Sequence, residues 1–377
     1  MIDRFHCPAC GATPRAEPAT WRCPECGGPL ELPAGTIGPV AWPLMAPLAV
    51  AGVRRYERWL PVPKPVSLGE AMTPIAHGQW AGVDVVWKVE GGLPSGSFKD
   101  RGTAVLVGWL VEQGVDRVVD DSSGNAGASL AAYCARAGIA CEVHVPSSAS
   151  PAKVRQLHAY GADVVLVPGP RSAATDSAQE AASGGRGIYA SHLWSPLFLA
   201  GTATFAWEAW EQLGRTVPDA VVVPLGGGTL LLGAWRGFAA LRDAGLASRA
   251  PRLYGVQSTA CEPLATAFRS GGREPARVTL LGGLAEGALV AHPPRGAAVL
   301  TAVRESGGAI ASVDDATLVA ARDALARSGL YVEPTSALVP AGLEQLVADG
   351  LIRPSDVVLA ALTGSGLKTP LAPASGP

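Results

Sequence analysis

Residues 115–145 read VDRVVDDSSGNAGASLAAYCARAGIACEVHV. A valine-rich strand candidate at 115–120 gives way to the small, hydroxyl-rich Asp121-Ser122-Ser123-Gly124-Asn125-Ala126-Gly127, then to a helical apolar period over 126–137 and a second strand candidate at 141–145. Short run, polar turn, helical period and short run are the signs of a strand–helix–strand unit whose strands lie parallel. The alternation continues outward. Upstream, 83–89 reads as a strand and 103–113 as a helix; downstream, helices at 151–160 and 172–183 flank an extended 164–167. Helices at 202–213, 230–244 and 317–327 then alternate with strands at 220–223, 253–257 and 357–362. The pattern predicts an α/β fold of parallel sheets covered by helices on both faces.

At roughly 150 residues per domain, 377 residues suit two domains and an appendage. An apolar share of 48% against 16% charged excludes a disordered chain. A net charge of -2 provides no polybasic field, so nucleic acid is not an expected partner. The apolar stretch 40–53 is broken by Pro43 and Pro47 and falls short of the roughly 18 residues of a membrane span. His6, Cys7 and Cys10 stand where a signal peptide needs a continuous apolar core, so a cytoplasmic protein is expected.

Cys7-Pro-Ala-Cys10-Gly11 and Cys23-Pro-Glu-Cys26-Gly27 form paired C-x-x-C knuckles. The glycine after each permits the tight turn that aims backbone amides at thiolate, and four thiolates complete one tetrahedral zinc. Redox pairs or disulfides are the alternative; a reducing compartment favours a closed structural zinc ribbon over residues 1–35. Four protein ligands leave no open position for catalysis. Arg4, Arg15 and Arg22, offset by Glu17 and Glu25, give the ribbon a weak basic surface. Cys134, Cys141 and Cys261 read as buried small apolar residues. Residues 29–65, rich in proline and glycine, read as an irregular connecting arm.

In sheets of this kind ligands sit beyond the carboxyl ends of the strands, and three loops there are unusual. Asp121–Gly127 precedes a helix whose free amides suit a carboxylate, or is simply a capped helix start. Pro224-Leu225-Gly226-Gly227-Gly228-Thr229 suits a phosphate, with three glycines and a helix dipole, or is an ordinary glycine turn. It lacks both the lysine ending of a nucleotide P-loop and the G-x-G-x-x-G spacing. Gly96-Ser97-Phe98-Lys99-Asp100-Arg101-Gly102 holds one of only five lysines, beside an aromatic ring. Lys64 lies between prolines, Lys88 in a strand, Lys153 on a polar helix face and Lys368 near the tail; solvated lysine is the ordinary reading, and Lys99 is the exception.

Taken together in this order, these motifs resemble the pyridoxal-phosphate enzymes of fold type II, the tryptophan-synthase-β-like group, and within it the threonine synthases. Glu333-Pro334-Thr335-Ser336-Ala337 and Leu362-Thr363-Gly364-Ser365-Gly366-Leu367-Lys368 complete the set, and the match spans roughly residues 65 to 370. Some threonine synthases also carry an amino-terminal ribbon. The resemblance implies two α/β domains with pyridoxal 5'-phosphate in the cleft between them: a large one from residues 36–110 and 200–377, and a smaller one from 111–199. It implies that Lys99 carries the cofactor and serves as base, beside Phe98, and that Asn125 donates to the cofactor's phenolic oxygen. Gly226, Gly227, Gly228 and Thr229 would hold its phosphate, and Ser122, Ser123, Gly124 and Ala126 the carboxylate of an amino-acid substrate. Thr363 would face the pyridine nitrogen; an uncharged hydroxyl there moderates the electron sink and suits elimination followed by addition at the β- or γ-carbon. A homodimer is also implied.

Threonine synthases usually carry Asn-Ser-x-Asn-Pro-x-Arg, whose polar groups help hold the phosphate of O-phosphohomoserine. Aligned on Pro196 and Gly201, this chain has His192 for the first Asn, Leu193 for Ser, Ser195 for the second Asn and Phe198 for Arg. A buried phosphate dianion without a cation is costly. Leu93, Ala126 and the Gly-Gly-Gly-Thr turn depart from the family as well. The expectation is therefore a threonine-synthase-like lyase or synthase whose substrate carries a smaller or uncharged leaving group, with His192 as a substrate contact or a satisfied loop histidine. Alternatives are β-replacement on a serine derivative, deamination of serine or threonine, or a non-catalytic amino-acid sensor or interaction protein, against which Lys99, Asn125 and Thr363 argue.

Overall fold

The computed structural model describes residues 2–39, 52–149 and 151–368, apart from the side chains of Ala152 and Lys153. Most of the apolar stretch 40–53 and the side chain of Lys153 lie outside the described residues. In chain order the strands are β1 (Ile75–Trp80), β2 (Val83–Val89), β3 (Arg117–Asp120), β4 (Ala140–Pro146), β5 (Asp163–Val167), β6 (Ile188–Tyr189), β7 (Ala220–Pro224), β8 (Arg252–Ser258), β9 (Ala309–Val313) and β10 (Val357–Leu362). The helices are α1 (Lys99–Glu112), α2 (Asn125–Ala137), α3 (Pro151–Ala159), α4 (Arg171–Ser183), α5 (Pro196–Thr202), α6 (Thr204–Gln212), α7 (Thr229–Asp243), α8 (Pro263–Arg269), α9 (Gly296–Glu305), α10 (Asp315–Arg327) and α11 (Pro334–Ala348).

Two sheets result, one of order β1-β2-β10-β7-β8-β9 and one of order β5-β4-β3-β6. The smaller is parallel throughout. The larger departs from expectation at one edge, where β1 runs antiparallel to β2. The cause is local: Trp80 pairs with Val83 across Ala81 and Gly82, both with positive φ (51° and 82°), the backbone of a two-residue hairpin turn. Central strands of this sheet are buried on both faces, so their apolar residues are continuous. Val221, Val223, Leu359 and Ala361 enter one core with Phe205, Trp207 and Phe238, while Val222, Val256, Ala360 and Leu362 enter the other with Leu338, Val339 and Leu343 of α11.

The arm is less irregular than its composition suggests. Gly52–Trp59 forms a 3-10 helix whose Tyr56 and Trp59 rings pack 5.8 and 5.3 Å from that of Trp207. The helix expected at 202–213 is α6, and a further short helix not read from the sequence precedes it: Ser195 caps α5 at Pro196, and the chain turns at Ala203 between the two. Lys88, which the sequence presents as an ordinary exposed lysine, is fully buried against Glu208. Cys134, Cys141 and Cys261 are buried and unpaired. No described helix is long and apolar enough to cross a membrane.

Candidate active site

The Lys99 turn is strapped to the end of β10. Gly96 takes the left-handed conformation (φ +84°), Ser97 forms an isolated bridge with Gly364, and Phe98 N donates to Thr363 O at 3.0 Å. Lys99 is therefore the first residue of α1, which approaches α5 so closely that a Cβ on Gly102 would lie 2.5 Å from the Phe198 ring. The amine sits 4.4 Å from the Phe98 ring centroid and 5.8 Å from that of Phe198. Burial lowers its pKa to about 7, helped by Arg171 and opposed by Glu333 and Asp120.

Asn125 opens α2 with its side-chain amide fully engaged: Nδ2 donates to both Glu333 carboxylate oxygens at 2.9 Å, and Oδ1 accepts from Lys368 Nζ at 2.7 Å. Lys368, far from a stray tail residue, also donates to Ser95 O at 2.8 Å. Below this loop, Ser122 N donates to Asp120 Oδ2 at 3.2 Å and Ser122 Oγ accepts from Gly124 N at 3.4 Å. Ser122 and Ala126 are buried, whereas Ser123 and Gly124 are half-buried. Asp120 Oδ1 is buried without a partner, and burial, then Asp121, holds its carboxyl up to about 7.

Gly226, Gly227 and Gly228 run from β7 into α7, with Gly228 at φ +81°. Neighbours already crowd the turn: a Cβ on Gly226 would lie 2.9 Å from Gly287 O, and one on Gly227 would collide with Leu193 Cδ2. The space where side chains would stand is thus closed on the far side, and free amides at the start of α7 supply donors for an anion. Thr229 is fixed through its carbonyl, which accepts from Thr202 Oγ1 at 3.1 Å. Thr363 is buried, 3.0 Å from Ser336 Oγ through its own hydroxyl. Amine, glycine turn, amide and neutral hydroxyl together fit pyridoxal phosphate.

In the segment 192–198, His192 Nδ1 is buried without a partner, and its ring meets Phe198 edge to face at 5.6 Å. Burial first, then the charges of Lys99 and Arg171, press its pKa well below the ordinary value, so the imidazole is neutral. Ser195 is occupied as the cap of α5, accepting from Phe198 N at 3.3 Å. The cysteine knuckles also converge. Sγ atoms of Cys7, Cys10, Cys23 and Cys26 all lie within 4.8 Å of one another, with Cys7–Cys26 at 3.5 Å and Cys10–Cys23 at 3.6 Å. A tetrahedral zinc with bonds of roughly 2.3 Å needs an edge of about 3.8 Å, so these thiols fit the ion.

The sequence pattern of the family described as "Pyridoxal-phosphate dependent enzyme" matches residues 66–364. The chain belongs to this family. Among pyridoxal-phosphate-dependent enzymes, the threonine synthase of Methanocaldococcus jannaschii is 35% identical over 98% of this chain and 93% of that protein. That of Methanosarcina acetivorans is 32% identical over 97% and 92%. The solved T.th. threonine deaminase superimposes with a TM-score of 0.67 at 26% identity, covering 80% of this chain and 94% of that one. Maize serine racemase does so with a TM-score of 0.69 at 21% identity, covering 80% and 89%, a likeness of fold alone. The architecture is that of fold type II, and the comparisons support a lyase or synthase of this family at the coarse level.

Four groups near Lys99 have no role in the reading of the sequence: Glu333, Lys368, Asp120 and Arg171. The first two lie in quoted motifs, so their presence is visible there but not their pairing through Asn125. Asp120 ends a strand and Arg171 begins a helix, and nothing in either neighbourhood marks them out before the chain is folded.

Proposed function

We propose that this enzyme catalyses elimination followed by addition at the β- or γ-carbon of an amino acid, as a threonine synthase does, on a substrate whose leaving group is neutral or smaller than phosphate. One observation carries the choice of leaving group: the segment 192–198 offers the cleft a neutral His192, an occupied Ser195 and the aromatic Phe198 where the family has amides and a guanidinium. A phosphate dianion brought there would lose its water without gaining a charge-assisted partner from this segment.

Bound at the glycine turn, pyridoxal phosphate supplies the electron sink for loss of the α-proton. Lys99 takes and returns that proton; an amine near pH 7 is poised for both. The rings of Phe98 and Phe198 keep water from the amine. The loop Ser122–Ala126 would hold the substrate carboxylate at the start of α2, through the hydroxyls of Ser122 and Ser123 and the amides of Ser123 and Ala126, since the Ser122 and Gly124 amides already donate within the loop. Glu333 and Lys368 fix Asn125, whose amide would donate to the cofactor's oxygen by exchanging one of its two Glu333 acceptors. Thr363, hydrogen-bonded to Ser336, would offer the ring nitrogen a hydroxyl rather than a carboxylate, a partner that does not require its protonation. His192, whose Nδ1 has no partner, would contact the departing group.

A panel of homoserine and serine esters, with O-phosphohomoserine included, tests this. A new amino acid with release of the carboxylate from an ester that is uncharged while attached is expected; ammonia and a 2-oxo acid would indicate deamination, and turnover of the phosphorylated compound alone would overturn the leaving-group reading. A second reading, in which phosphate is retained, is favoured by Arg171, whose charge reaches Lys99 and His192 from the start of α4. We also propose that the four ribbon cysteines bind structural zinc, expected as equimolar metal in purified protein, that residues 36–110 with 200–377 and 111–199 are the two domains of a cytoplasmic enzyme, and that it is a homodimer, testable by sedimentation.

A further inference from the structure

We propose that the cysteine ribbon positions the substrate side of the cleft, with Glu31 and Arg295 as positioning residues that hold the backbone following His192. The inference rests on the reading of segment 192–198 as the substrate half. Its centre is one buried guanidinium. Arg295 reaches the ribbon through Nη1 to Glu31 Oε1 at 2.5 Å and Nη2 to Leu30 O at 2.8 Å. The same guanidinium reaches the loop through Nε to Leu193 O at 3.1 Å and Nη2 to Trp194 O at 2.6 Å. A planar fork with fixed donors transmits orientation as a flexible ammonium does not.

The attachment continues on either side. Glu31 exchanges backbone hydrogen bonds with His6, both 2.8 Å, one residue from the ligand Cys7. Its second carboxylate oxygen pairs with Arg236 on α7, the helix that begins at the glycine turn. Leu193, whose carbonyl Arg295 holds, covers Gly227 with its side chain. Trp21 of the ribbon stacks edge-on against Tyr189 at 4.9 Å and Trp194 at 5.0 Å, bracketing the loop that contains His192. A folding clip needs only apolar contact with any part of the body. These contacts instead converge on the loop and on the helix behind the phosphate turn. Without Glu31, Arg295 becomes a buried cation with carbonyl partners alone, and burial already lowers its pKa to about 10. Such a group is drawn toward water, releasing Leu193 and Trp194.

The experiment compares holoenzyme, metal and cofactor loaded, with Glu31→Gln and, because the first variant could fail to fold, Trp21→Leu. Amide hydrogen exchange over 188–196 is expected to accelerate roughly tenfold, the factor that about 1.4 kcal/mol of lost pairing gives. Zinc content and cofactor absorbance stay unchanged, and KM for the amino acid rises while kcat holds. Faster exchange confined to residues 2–32 in both variants, with an unmoved KM, would reduce the ribbon to a clip and end the proposal. A wild-type enzyme that turns over no amino acid sinks the functional reading instead, and the exchange comparison still decides this one.

Discussion

Two lysines, Lys88 fully buried in β2 and Lys99 half-buried at the start of α1, have opposite fates. Lys88 Nζ donates to Glu208 Oε1 at 2.6 Å, within a cluster where Arg101 reaches Glu90 at 2.6 Å and Glu208 at 2.8 Å. Two cations face two carboxylates and Thr73 and Thr204 take further hydrogen bonds, so all four charges have partners. Lys99, two residues before Arg101, has aromatic faces beside it, with Asp120 and His192 nearby holding atoms without partners. Burial lowers the pKa of both amines. What differs is compensation: the first region satisfies its charges internally, and the second leaves buried hydrogen-bonding capacity unfilled.

Removing each amine's context tests that contrast. Lys99→Ala is expected to cost at least about 10²- to 10⁴-fold in turnover, the range for loss of a positioned base, with no cofactor retained after borohydride reduction and stability little changed. Full activity in that variant would refute the assignment. On the other side, Glu208→Gln should leave turnover chemistry intact and cost about 3–5 kcal/mol in denaturant unfolding, because it strands buried Lys88 and Arg101. The pH dependence follows in sign. Arg101 and Lys88 hold Glu208 at about 2, below its ordinary 4.5, despite burial, which alone would raise it. Its stabilisation is present above about 4.5 and is lost as pH falls toward 2. The glutamine variant lacks that portion of the acid transition.

The same contrast explains what the sequence can and cannot reveal. Strand β10 is found where its apolar run at 357–362 lies, and Lys99, Asn125 and the glycine turn stand out because local signals, small residues between a strand and a helix, announce a ligand loop. Antiparallel β1 escapes the pattern since His77, Gly78 and Gln79 break its apolar run, and its position is decided by the turn at Ala81 and Gly82. Helix α11 carries Pro340 inside it, and only the motif at its first turn is legible. The buried cluster is invisible for a different reason: Lys88, Arg101 and Glu208 are ordinary charged residues until folding brings them within 3 Å across 120 positions. Phe198 is visible as a substitution, but its role beside Lys99 depends on α5 approaching α1 over Gly102.

The smallest expected effect discriminates most finely. Arg171 opens α4 and lies 3.5 Å from Asp121, partly exposed, so its field on Lys99 is screened by solvent. Arg171→Gln removes a positive charge, which favours the protonated amine and moves the Lys99 pKa upward from about 7. Condensation with pyridoxal phosphate needs the neutral amine, so recombination of apoenzyme with cofactor should shift its midpoint to higher pH, by less than about one unit given that screening. Arg171→Lys keeps the charge and should keep the midpoint. If Arg171 also serves as the cation that Phe198 no longer provides, KM for O-phosphohomoserine rises in Arg171→Gln while that for a neutral ester does not. Equal changes for both esters would leave Arg171 a modulator of Lys99 alone and remove the physical basis for retaining phosphate at this site.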